Sequence, residues 1–199
     1  MKRVSSIIVV VTLLLCAAYT PANAAAAKDW TVAVFLNADN NLDPFGVEDQ
    51  QEMAKVGSSD FLNIVSLIDR EHGPAQINYI EKNNIKKVKD MGEMDMGDYR
   101  QFVAFAKFVK ENYPAKHYCF TIWNHGSGWK NKGTSAIYRG ISYDDSSNNH
   151  ITNAQLGTAV AEVSKILGQK IDILNFDACL MQMVEVAHAV KDNVVYMVA

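Results

Sequence analysis

The chain has 199 residues, 49% of them hydrophobic and 21% charged, with a formal net charge of −3. That is long enough for one domain with a sizeable core, and the mild acidity excludes a polybasic footprint for nucleic acid or anionic lipid. Three cysteines are too few for a disulfide-stapled scaffold.

At the N-terminus, Lys2 and Arg3 precede an apolar run from Ile7 to Ala18, and Pro21-Ala22-Asn23-Ala24 supplies an A-x-A-like end. Residues 1–24 read as a secretory signal peptide, since the run is too short for a bilayer span and no stop-transfer pattern follows. Cys16 raises a lipoprotein alternative, but Leu15 before it is bulky, which favours ordinary cleavage after Ala24. The expectation is export, to the outside of the cell or the periplasm, with no stable membrane insertion. Residues 25–199 then read as one domain. Two of its residues are cysteines, Cys119 and Cys179. Cys119 lies inside "HYCFTIW" and reads as a strand-core residue. A bridge between the two thiols requires adjacent strands and side chains that meet.

The segment 30–38, "WTVAVFLNA", is rich in β-branched and aromatic residues and predicts a buried strand. Asp43 can then cap a helix with Pro44 at its first position. Residues 61–69, "FLNIVSLID", predict a second strand. "AQINYIEK" and "NIKKVKD" alternate apolar and polar residues, as a hairpin turning around Asn83-Asn84 would. From Asp98 to Tyr113, apolar residues recur at helical spacing until Pro114. Residues 117–123 predict the next strand. The stretch 130–150 is polar and loop-like, broken by a short "GISYDD" strand. Thr152 and Gln155 have capping-box spacing for a helix ended by Gly168. A strand "IDILNF", a helix from Leu180 to about Lys191 and a strand "VVYMVA" complete the chain. Strands alternating with helices predict an α/β fold with a mostly parallel sheet covered on both faces.

In an open α/β sheet, ligands sit beyond the carboxyl ends of the strands. Two strands here end in reactive groups. One leads into His125-Gly126-Ser127-Gly128, the other into Asp177-Ala178-Cys179. If the strands are neighbours, His125 and Cys179 share a rim. Cys179 at a helix N-terminus would favour its thiolate. An imidazole beside it could take the thiol proton and return it to a leaving amine. The backbone N–H groups of Gly126 and Cys179 could together hold a developing oxyanion, worth roughly 3 kcal/mol per donor. The alternative is plain: a cysteine in apolar surroundings is commonly a packing residue.

"WNHGSGW" and "DACLM", with "ADNNLD" near the start and "GISYDDSS" between, resemble the clostripain-like cysteine peptidases, the C11 family of the caspase-like clan. The resemblance runs from about Trp30 to Ala199. It implies a caspase-like α/β/α sandwich, with His125 and Cys179 as a catalytic dyad on neighbouring strands. It also implies cleavage after Arg or Lys, with Asp177 lining the pocket for the basic side chain. A carboxylate facing a guanidinium makes a charge-assisted, often bidentate contact; the competing reading is that Asp177 caps the helix beginning near Ala178. Family members are nicked by themselves in the loop after the histidine strand. Arg139 is the foremost candidate here, with Lys132 and Lys130 beside it; ordinary solvated loop charges are the alternative.

The expected partners are protein or peptide substrates bearing basic residues, and the expected state is a monomer. No organic cofactor is implied; calcium dependence within the family admits a calcium effect, with no ligands named. Asp39, Asn41 and Asp43 resemble the start of an EF-hand, but Pro44 and Gln50 occupy its required Gly and Glu positions, so that loop is rejected. Paired Asp144 and Asp145 suit a turn. Ser127 lacks the first glycine of a nucleophile elbow, and no zinc spacing occurs. By the resemblance, family members continue well past Ala199, and 25–199 is expected to correspond to the N-terminal part of a longer family domain. A catalytically incomplete fragment, or a non-catalytic binding module of the same fold, is therefore the second reading.

Overall fold

The computed structural model describes residues 27–129 and 139–199. The signal peptide, with Cys16 and the cleavage point after Ala24, lies outside the described residues, as do Lys130 and Lys132.

The core strand β1 (Lys28–Ala38) pairs in parallel with both β2 (Leu62–Arg70) and β5 (Ala115–Trp123). Being covered on both faces, it reads as a continuous apolar run. Ala33 and Phe35 point into the larger core cluster, and Val34, Leu36 and Ala38 into the opposite one. Helix α1 (Asp43–Val56) covers the second face. Its start differs from expectation. Leu42 holds the cap position, with no side-chain cap bond, and Asp43 is the first helical residue. The Asp43 carboxylate is instead held by Arg70, Nε to Oδ1 at 2.7 Å and a terminal N–H to Oδ2 at 2.9 Å. A bidentate guanidinium outcompetes a backbone N–H for a buried carboxylate.

The hairpin forms as expected: β3 (Ala75–Glu81) and β4 (Asn84–Gly92) are antiparallel, with Asn83 at φ 60° in the turn. Lys86, Lys87 and Lys89 protect the β4 edge from further pairing. Helix α2 (Tyr99–Asn112) begins at Asp98, whose carboxylate accepts the Arg100 N–H at 3.0 Å. It drives Phe102 edge-on into Phe35 and Phe120, at 5.5 and 5.6 Å between centroids.

The polar stretch holds two strands where one was expected: β6 (Gly140–Asp144) and β7 (Asn149–Thr152) form a small antiparallel sheet. Helix α3 (Asn153–Leu167) carries the complete Thr152–Gln155 capping box and ends at Gly168 with φ 74°. Then follow β8 (Ile171–Asp177), α4 (Val184–Val190) and β9 (Val194–Val198). The large sheet runs β4-β3-β2-β1-β5-β8-β9, parallel from β2 to β9. Helices α2, α3 and α4 bury their apolar sides in the larger cluster, giving an α/β/α sandwich. No helix among the described residues is long and apolar enough to cross a membrane.

The final helix also departs from expectation. It starts at Val184, not Leu180. Leu180 adopts φ 64°, and the Met181 side chain is fully buried. The carbonyls of Cys179 and Leu180 pack so tightly on Gly126 and Gly128 that a Cβ on either glycine would clash. This contact with the loop after β5 holds residues 179–183 out of helical geometry.

Candidate active site

Strands β5 and β8 are parallel neighbours, with Trp123 opposite Asp177. The Asn124 N–H extends the ladder by donating to the Asp177 carbonyl at 3.2 Å. Each strand then turns out at the same rim, delivering His125 and Cys179 two residues later. Both side chains are exposed, and both line one groove of about 580 Å³ with Leu42, Trp123 and Asp177. The register brings together the pair that the motifs single out.

The loop between β1 and α1 supplies a residue that motif reading missed. Asn41 Oδ1 lies 2.8 Å from His125 Nε2. An amide oxygen accepts, so in this contact Nε2–H is the donor. The loop is itself held: Asn40 Nδ2 donates to the Tyr143 carbonyl at 2.9 Å, and Asn40 Oδ1 accepts the Leu42 N–H at 2.9 Å. Buried Asn124 ties the same corner together, donating to the carbonyls of Asn37 (2.6 Å) and Tyr143 (3.0 Å) while accepting the Tyr143 N–H (2.8 Å). The signal for Asn41 was the Asn-rich turn in "ADNNLD", which marks a loop at the rim without naming its partner.

The cysteine's surroundings correct one expectation. Cys179 is not at a helix N-terminus, since α4 begins five residues later. The axial field of a helix end falls off within its first turn, so α4 gives the thiolate no such support. For the same reason Asp177 caps no helix. Its carboxyl faces the groove and a second hollow of about 300 Å³ lined also by Asp49 and Glu52. Although its side chain is exposed to solvent, partial burial pushes its carboxyl up, and the Asp49 charge adds to this. Asp49 is anchored by the Trp123 indole N–H at 2.7 Å. The result is an acidic hollow that adjoins the groove at Asp177.

The two cysteines are free. Cys119 stands opposite Ile173 in register, six residues before Cys179, or roughly 20 Å along a strand. A bridge between them is excluded, and burial pushes the Cys119 thiol up. Asp144 serves the turn after β6, accepting N–H groups from Ser147 (2.8 Å) and Met96 (2.9 Å). Arg139 lies just before β6, with its guanidinium 5.5 Å from the Trp129 ring centroid.

Residues 34–199 match the sequence model of the Clostripain family. The curated relative clostripain of Hathewaya histolytica is 30% identical over 186 residues, covering 79% of this chain and 35% of its own length. A secreted C11 cysteine protease from Bacteroides thetaiotaomicron, solved with an irreversible peptide inhibitor, superposes with a TM-score of 0.69 at 22% identity, over 85% of this chain and 48% of that one. An inactive zymogen C11 protease from Parabacteroides distasonis gives 0.67 at 23% identity, over 86% and 48%. The chain thus spans about a third of clostripain and about half of the solved proteases, and the latter establish the α/β/α fold of C11 proteases for it. With the match covering most of its length, the chain belongs to the clostripain family, the C11 family of cysteine peptidases.

Proposed function

We propose that this chain carries the catalytic centre of an exported cysteine endopeptidase that cleaves after basic residues. The observation that carries this reading is the shared rim: an exposed thiol and an exposed imidazole at the ends of neighbouring parallel strands, with Asn41 Oδ1 held against the imidazole Nε2. Cys179 is the nucleophile. Its proton passes to His125 Nδ1, the nitrogen left unprotonated when Nε2–H donates to Asn41. The sulfur attacks the substrate carbonyl carbon, and the N–H groups of Gly126 and Cys179 hold the oxyanion. His125 then protonates the leaving amine, leaving a thioester on Cys179. Water deprotonated by His125 attacks the thioester, releasing the acid and restoring the thiol.

Asp177 selects the substrate. Lining the groove beside Cys179, with Asp49 and Glu52 in the adjoining hollow, it favours a guanidinium or ammonium over a carboxylate. Self-processing falls in the 130–140 loop, after Arg139, Lys132 or Lys130. Cleavage after Arg139 would free the first residue of β6, Gly140.

Cys179→Ala tests the reading, assayed for peptide turnover and for self-cleavage by intact mass. Wild type should hydrolyse Arg- and Lys-ended fluorogenic peptides and leave Asp-ended ones intact. The variant should lose turnover by about 10⁴-fold or more and remain a single chain. A preference for the acidic peptide defeats the Asp177 assignment. Folded wild type without turnover of any peptide favours the binding-module reading.

A further inference from the structure

The small β6–β7 sheet reaches the rim through a kink. Its pairing slips register between Ile141 and Asp144. Inside the slip, Ser142 is fully buried and adopts φ 61°. That backbone region is unfavourable for a residue with a side chain, and it persists only where the surroundings over-determine it. Here they do: the Ser142 hydroxyl donates to the Met96 carbonyl at 2.8 Å and accepts Asn37 Nδ2 at 3.1 Å. Irregularities of this kind re-aim a neighbouring side chain and are common beside active sites. The neighbour is Tyr143.

Tyr143 touches each segment that flanks His125. Its N–H donates to Asn124 Oδ1 at 2.8 Å, and its carbonyl accepts Asn124 Nδ2 at 3.0 Å. Asn124 directly precedes the imidazole. The Tyr143 phenolic oxygen lies 2.7 Å from Ser127 Oγ, two residues after the imidazole. The same carbonyl accepts Asn40 Nδ2 at 2.9 Å and Asn37 Nδ2 at 3.1 Å. Asn40 adjoins Asn41, whose Oδ1 meets His125 Nε2. One residue thus braces the chain before His125, the chain after it, and the loop that holds its ring. The Tyr143 ring is itself fixed by stacking on His150, with 4.8 Å between centroids and 9° between planes.

We propose that Tyr143 is a positioning residue for His125, and that its hydroxyl, acting through Ser127, fixes how the imidazole faces Cys179. It touches no reacting atom. The inference rests on the reading of His125 as the catalytic base. The tether is needed because Ser127 lies between Gly126 and Gly128, and glycine gives the backbone freedom that an oriented base cannot share. Gly128 uses that freedom, at φ 58°. A misplacement of about 1 Å in a reacting group costs on the order of 100-fold in rate. Substrate binding should be spared, because Asp177 is carried by β8.

Tyr143→Phe isolates the hydroxyl. It keeps the ring, the stack and the backbone contacts to Asn37, Asn40 and Asn124, and Ser127 Oγ still accepts the Gly140 N–H at 3.0 Å. The full chain is assayed for turnover of an Arg-ended fluorogenic peptide. Its imidazole carbon–proton signals are followed by NMR, with His125 assigned by the signal lost in His125→Gln. Tyr143→Phe should lower kcat by roughly 10- to 100-fold and leave KM within about twofold. The His125 signal should move, while that of His117, near the other end of β5, stays. Ser127→Ala should cost at least as much, and the double variant no more than Ser127→Ala alone, as two partners in one contact require. Asp98→Ala, at the start of α2, supplies a loss of stability away from the rim and should change neither kcat nor the His125 signal. A folded Tyr143→Phe with wild-type kcat and an unmoved His125 signal overturns the proposal. So do additive costs in the double variant, or an equal fall in kcat in Asp98→Ala. Wild type without turnover sinks the peptidase reading instead. The His125 signal then decides alone: moved in Tyr143→Phe, it supports the placement, and unmoved, it overturns it.

Discussion

Cys179 and Cys119 share a chemistry, yet their positions set them apart. Cys119 lies midway along β5, opposite Ile173, with its thiol pushed up by burial. Cys179 stands past the end of β8, exposed, with its carbonyl pressed on Gly126. Alkylation requires a thiolate that the reagent can reach. Iodoacetamide should therefore label Cys179 at least about tenfold faster than Cys119, as read by peptide mapping at pH 7. Gly126 is held to its identity by the same contact. A methyl there would strike the Cys179 carbonyl, the Ala178 Cβ and the Met181 side chain, and backbone cannot give way as a flexible side chain can. Gly126→Ala should keep the far-ultraviolet spectrum and slow Cys179 labelling, because it shifts the nucleophile's segment and touches the larger core cluster only at its edge, through Met181 and Ala178. Unchanged labelling would mean that the glycine is free of this role.

At the scale of elements, local chemistry was legible where it is short-range. Thr152 and Gln155 made their capping box, Asn83 made its turn, and the β1 and β5 runs became central strands because burial on both faces leaves no polar alternation to misread. What stayed hidden depends on tertiary neighbours. The delay of α4 to Val184 is imposed by glycines some fifty residues earlier. Asp43 was diverted from capping by Arg70, across the β2 end. Strand β7 has four residues and a polar start, and leans on stacking of His150 against Tyr143 at 4.8 Å. Helix α2 offers a sharp test of the local kind. Hydrogen bonding to Arg100, and then the Arg100 N–H and charge, hold the Asp98 carboxyl below its ordinary range despite some burial. A depressed folded pKa contributes stability above the unfolded value and loses it as pH falls through the folded one. Asp98→Ala should cost about 1 kcal/mol at pH 7. That gap should begin to narrow only below about pH 5, where the unfolded carboxyl starts to protonate. Denaturant melts of both proteins from pH 7 to pH 2 check this, and a gap that does not change with pH would remove the charge from the cap.

Across the whole molecule, the sheet does what no local motif can. It brings positions 125 and 179 to one rim through the pairing of β5 with β8, and positions 39, 69 and 93 to another stretch of that rim through β1, β2 and β4. The first juxtaposition could be anticipated, because each partner ends an apolar strand. The second could not, because acids about thirty and twenty-four residues apart carry no shared period. Both depend on the stiffness of the layer beneath. The larger core cluster supplies it, and Phe102 is its pivot: fully buried, it meets Phe35 of β1 and Phe120 of β5 edge-on. These are the two strands whose ends carry Asp39 and His125. Removing a buried phenylalanine ring leaves a cavity that the surrounding sheet can only partly fill, and typically costs about 3–5 kcal/mol. Phe102→Ala should lower the denaturant midpoint accordingly. If the rim is a rigid consequence of the core, the variant should lose Cys179 labelling selectivity in step with its stability as denaturant rises. If labelling selectivity instead persists unchanged through partial loss of the core, the dyad is held locally and the sheet is not what aligns it.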